Sequence, residues 1–115
     1  MNVLLGIALL LAAAPIGPPA HIKPKDIIGT WRDHGGTVYE FHPDFTYLIY
    51  LNDMEDSGAW TLMDRGKLQL TRYDDPTKRT TSKKSVRIVI RIEGFAPHIL
   101  HTRGEDGYRN IWIKD

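Results

Sequence analysis

The chain contains no cysteine. That absence removes disulfides, thiolate metal sites and thiol nucleophiles together, and with them the residue a lipoprotein would have to lipidate. An excess of one charge is missing as well. Fifteen Lys and Arg against fourteen Asp and Glu leave a formal net charge of +1, which gives no pull toward nucleic acid or an anionic membrane. No apolar run reaches the ~20 residues a spanning helix needs. There is no G-x-S-x-G elbow, and Ser57, Ser82 and Ser85 lie in or beside loops without a base at recognisable spacing. Asp74 and Asp75 adjoin in a polar loop, where water relieves their repulsion. Of the five histidines, His98 and His101 share one strand but fall on opposite faces. Asp53, Glu55 and Asp56 lack the Asp/Asn alternation and the glycine of a calcium loop. The expectation is a protein that is not an enzyme, with no metal site and no cofactor.

What is present begins with an apolar run. Residues 3–14 are almost all Leu, Ile, Val, Ala and Gly, and Pro15 and Pro18-Pro19 stop any helix there. A dozen such residues match the h-region of a signal peptide. Residues 1–20 therefore read as a signal segment, with Ala14 and Ala20 as alternative cleavage ends and an uncleaved anchor as the other reading. Residues 21–115 form the domain, placed in the periplasm or secreted, with no membrane span after processing.

Beyond Pro24 the chain is punctuated at short, regular intervals. Strands are predicted over 27–33, 37–42, 46–51, 58–63, 67–73, 84–92, 97–102 and 108–113. A polar acidic loop is predicted over 52–57, a turn at 93–95, and the longest connection over 74–83. Helical periodicity fails, whereas alternation succeeds: Val86, Ile88, Ile90 and Ile92 share one face while Arg87 and Arg91 take the other. Eight half-buried strands on short connections satisfy one another as an up-and-down antiparallel sheet, and eight is a number at which such a sheet closes. Closure also removes both exposed edges. The predicted fold is all-β, an eight-stranded up-and-down antiparallel barrel, with an open half-barrel as the alternative.

Gly29-Thr30-Trp31 opens the first strand. A G-x-W ahead of a meander resembles the start of calycin-type barrels. The runs Val38-Tyr39-Glu40-Phe41-His42-Pro43-Asp44, Gly58-Ala59-Trp60 and Gly66-Lys67-Leu68 are similar to those of small bacterial lipocalin-like domains. The resemblance implies that Trp31 plugs the closed end and that a basic side chain of the last strand crosses its ring, for which Arg109 is the candidate. It departs at Phe45, where such a turn ordinarily carries glycine because the position wants positive φ. Phe45 is expected to fold back over the core or to stand at the rim as a contact.

Strands of about six residues leave room for two or three interior layers, hence for a shallow site at the open end rather than a deep one. The leading expectation is an exported, non-enzymatic binding module taking a small apolar or amphipathic ligand there, with Tyr39, Phe45, Tyr47 and Trp60 as the candidate ligand-binding residues. The other is a protein-interaction module, such as a hydrolase inhibitor, acting through rim loops. A cavity above ~300 Å³ would favour the first, and a filled barrel with apolar rim residues the second. Lys78, Arg79, Lys83, Lys84, Arg87 and Arg91 form a basic stripe without interleaved aromatics, so nucleic acid is not an expected partner. A monomer is expected.

Overall fold

The computed structural model of the chain describes residues 16–115. The apolar run 3–14, on which the signal reading rests, lies outside them. Eight antiparallel strands follow one another in chain order: β1 Gly29–Arg32, β2 Val38–Phe41, β3 Thr46–Leu51 and β4 Met54–Met63, then β5 Lys67–Arg72, β6 Arg87–Ala96, β7 Ile99–Arg103 and β8 Arg109–Lys114. Each pairs with the next and β8 returns to β1, so the predicted closed up-and-down barrel is the fold.

Three local expectations change. The acidic stretch 52–57 is mostly strand, because Leu51 pairs with Met54 across a two-residue turn in which Asn52 takes φ 55, a conformation Asn tolerates better than most residues. Its charges do not stop the strand, since Asp56 is held by the Arg72 guanidinium at 2.8 Å. Residues 93–95 do not turn. β6 runs through them with a bulge between Ile92 and Gly94, and the chain reverses only after Ala96. Val86, expected inside, is half exposed because β6 starts at Arg87, three residues after the predicted start, and leaves Val86 in the preceding connection.

Parity otherwise sorts the core as expected. Trp31, Phe41, Tyr47, Trp60, Leu68, Leu70, Leu100 and Trp112 are buried, joined by Ile22, Ile27 and Ile92. Five rings form a continuous column. Tyr39 stacks on Trp112 at 4.1 Å, Trp112 lies 5.9 Å from Phe41, Phe41 meets Trp60 edge-on at 5.8 Å, and Trp60 carries Phe45 at 4.8 Å. The edge-on meeting of Phe41 and Trp60 is an arrangement aromatic quadrupoles prefer. The five rings leave the barrel axis filled.

One end is closed by the chain that precedes β1. A single helical turn, α1 (Pro24–Ile27), is started by Lys23 N–H donating to Asp26 Oδ2 at 2.9 Å. It presents the Ile27 carbonyl to the fully buried Trp31, whose Nε1–H donates to it at 2.7 Å. Further upstream Gly17 exchanges two backbone hydrogen bonds with Phe95, at 2.6 and 3.3 Å. The cation over Trp31 is Lys114, with Nζ 5.5 Å from the ring centroid, and not Arg109. Register explains the correction: Lys114 is the β8 residue paired with Trp31, whereas Arg109 sits at the far end of β8 and points outward to Glu93 at 3.3 Å. Gly29 has its own role there. A Cβ on Gly29 would lie 2.5 Å from Lys114 Cε, and φ is +139; the motif's glycine makes room for the lysine stem.

Candidate functional site

The opposite end carries the connections 33–37, 52–53, 73–86 and 104–108, and there the ladder thins. β1 and β8 share only two register pairs, Trp31 with Lys114 and Arg32 with Ile113, against five between β7 and β8. Side chains continue the closure where backbone stops. Asn110 Nδ2 donates to Asp33 Oδ2 at 3.0 Å, and Asn110 Oδ1 accepts from Ile111 N–H at 2.9 Å. Asp33 also accepts from Tyr39 Oη at 2.7 Å and from Thr37 N–H at 3.0 Å. Burial opposes ionisation of Asp33, but hydrogen bonds from Tyr39, Asn110 and the Thr37 and Gly35 backbone outweigh it and hold the carboxyl below its ordinary value. Across the mouth β6 outruns β7, and Glu105 Oε1 takes the Val89 N–H at 2.6 Å.

The four residues nominated from the sequence divide between the ends. Tyr39 and Tyr47 turn their hydroxyls toward carboxylates at the open end, Asp33 and Asp56 respectively, the second at 3.5 Å. Burial, reinforced by those acids, raises both phenol pKa values, so both stay protonated donors. Phe45 and Trp60 lie at the closed end. Phe45 keeps the positive φ of the turn, at 66, and folds onto Trp60, whose Nε1–H donates to the His42 carbonyl at 3.2 Å. Three of the four are therefore the ends of the aromatic column, Tyr39 at one and Trp60 with Phe45 at the other, with Trp112 and Phe41 between them, while Tyr47 is buried outside the column.

Three spaces open near the mouth, one of them a polar cleft of about 460 Å³ bounded by Val89, Arg91, Arg103, Gly104, Glu105 and Gly107. A hollow of about 140 Å³ is bounded by Tyr39, Ile90, Thr102, Tyr108, Asn110 and Trp112. Outside the β1–β8 seam runs a groove of about 780 Å³ floored by Ile111 and Ile113 and edged by Arg32, His34, Glu93 and Arg109. The rim itself is apolar at several points: Leu51, Met54, Val86 and Tyr108 are exposed there, Met54 and Tyr108 by 76% and 68%. Its largest element, residues 73–86, is held by its own polar groups. Ser85 Oγ donates to Asp74 Oδ1 at 2.9 Å and accepts from Ser82 N–H at 2.7 Å. Arg87 donates to the carbonyls of Ser82, Lys83 and Ser85, so this member of the basic stripe is a brace for the loop.

Among the described residues no group of three His, Asp or Glu side chains is placed to hold a metal ion, and no helix is long and apolar enough to cross a membrane. Sequence reasoning missed Asp33, Asn110, Ile111 and Ile113. The last two left a signal, since Ile111-Trp112-Ile113 sets three apolar residues in a row on the last strand. No protein-family model, curated protein or solved structure matches this chain.

Proposed function

We propose that the protein is an exported, non-enzymatic interaction module of lipocalin-like kinship that binds a protein partner through the apolar rim of its open end. One observation carries this reading: the aromatic column fills the barrel and leaves a mouth hollow of about 140 Å³, well short of the ~300 Å³ at which ligand pockets begin. Leu51, Met54, Val86 and Tyr108 supply instead the scattered exposed apolar contacts, on loops over a rigid scaffold, from which binding surfaces are built. A ligand held inside the barrel mouth is the second reading, and the hollow sets the size of such a ligand, since a cavity of ~150 Å³ takes a single benzene-sized ring.

Native mass spectrometry of the chain purified from its host's extracytoplasmic fraction tests both. A processed chain with a protein partner that is lost in a Leu51→Ser/Met54→Ser/Tyr108→Ser variant supports the rim. A small-molecule adduct that survives in that variant would move the function into the hollow. Recovery of the chain only from the cytoplasm would end the export reading.

A further inference from the structure

We propose that the outer face of β8 is a self-association surface and that its partner is a second copy of this chain packed antiparallel across a two-fold axis. Most barrel strands bury one face and leave the other polar. β8 does not: Trp112 is buried inside while Ile111 and Ile113 are 46% and 50% exposed outside. A strand apolar on both faces is the pattern of a strand covered on both faces.

The charges along that outer row say what covers it. Reading the outward residues in order gives Arg109, Ile111, Ile113 and Asp115, a cation and an anion enclosing two isoleucines. Laid antiparallel on its own copy about Trp112, this row sets Arg109 against Asp115 of the second molecule, twice, with Ile111 against Ile113 between them. A parallel two-fold would set Arg109 on Arg109 and Asp115 on Asp115, which like-charge repulsion disfavours. The flanking strand agrees with the antiparallel choice. Ile99 and His101 on β7 pair with Ile113 and Ile111, so the same axis brings Ile99 over His101 of the copy and widens the apolar centre. Such a surface is isologous, as a closed dimer requires. In the single chain the Arg109 and Asp115 side chains make exposed ion pairs, to Glu93 at 3.3 Å and to Arg32 at 3.0 Å, which are weak and free to extend to a second molecule.

Sedimentation equilibrium of the full chain over a range of concentrations tests the proposal, with circular dichroism to confirm that each variant is folded. The wild type is expected to dimerise reversibly, and Ile111→Lys to be monomeric with an unchanged spectrum. Arg109→Asp and Asp115→Arg should each weaken the dimer by about tenfold, as close charge pairs at interfaces do. Mixing those two variants should restore it, because each then offers the other an opposite charge at both positions. A wild type that stays monomeric, or a dimer that ignores Ile111→Lys and the charge exchange, would overturn the proposal. Because Tyr108 borders the same groove as Ile111 and Ile113, the separating control is Leu51→Ser/Met54→Ser alone, which should leave this dimer intact, so failure here and failure of the rim reading are separate results.

Discussion

The two ends of this barrel are closed by different means. At one end a buried indole, an α-turn, a lysine stem and the upstream chain meet around Trp31. At the other the backbone ladder stops early and single side chains, Asp33 with Asn110 and Glu105 with Val89, continue it. Packing of the first kind resists change, because every volume lost leaves a cavity. Hydrogen bonds of the second kind can be exchanged for those of a partner or of water. The difference places stability at the closed end and along the column, and leaves the mouth as the end where the proposed binding would disturb the least packing.

The largest expected break in that comparison is Trp112→Ala. It removes the ring between Tyr39 and Phe41 and should lower stability by about 3–5 kcal/mol, a large share of the ~5–15 kcal/mol of an ordinary domain. Chemical denaturation measures it. An effect under about 1 kcal/mol would mean that the column does not hold the barrel together.

Next comes the latch. Asp33→Ala leaves the Tyr39 hydroxyl, Asn110 amide and Thr37 N–H without their acceptor, a loss of about 1–3 kcal/mol. Its sign with pH follows from the depressed carboxyl. A group whose folded pKa lies below its unfolded value, about 3.9 for Asp, contributes stability above that value and loses it as pH falls through the folded one. The wild type should therefore lose its advantage over the variant on acidification below pH ~4. Unfolding midpoints of both chains from neutral to acid pH show whether the gap narrows; a constant gap would assign the effect to packing.

Phe45→Gly sharpens the closed end, because two terms oppose there. Glycine relieves the positive φ, worth roughly 1–2 kcal/mol. It also deletes a half-buried ring, worth roughly 2 kcal/mol in burial and about 0.5–1.5 kcal/mol more in its contact with Trp60. Burial wins, so the variant is expected to be less stable by about 1 kcal/mol, measured as a fall in thermal midpoint. A more stable variant would show that the ring is retained for a contact with another molecule.

Residues told this much of the story unequally. Alternation made the barrel and most of the core legible, because a two-residue period is written into Leu68, Leu70, Ile88 and Ile90 whatever the partners are. Closure was less so. The last strand, read as 108–113, holds Arg109 and stops one residue short of Lys114, and only the register with β1 shows that Lys114 is the one that crosses Trp31. Nor could composition show that Glu55 and Asp56 continue a strand, since Arg72, the partner of Asp56, lies sixteen residues away. The mouth was the least legible part. Asp33 and Asn110 are seventy-seven residues apart, and neither belongs to a motif; their pairing exists only once the first strand meets the last.

The smallest effect on stability is expected at the rim, where the comparison reverses. Leu51, Met54 and Tyr108 touch little, so replacing all three with Ser should change unfolding free energy by no more than about 0.5 kcal/mol per site. Binding should respond in the opposite order, because exposed apolar side chains at the centre of an interface carry most of its energy, and the same variant should weaken a rim-bound partner at least tenfold. Trp112→Ala, by contrast, should weaken that partner only in proportion to the chain it unfolds. Titrating the partner against both variants, with the folded fraction measured in each, separates a mouth that binds from a mouth that merely ends the barrel. Equal losses per folded molecule would place the contact elsewhere on the surface.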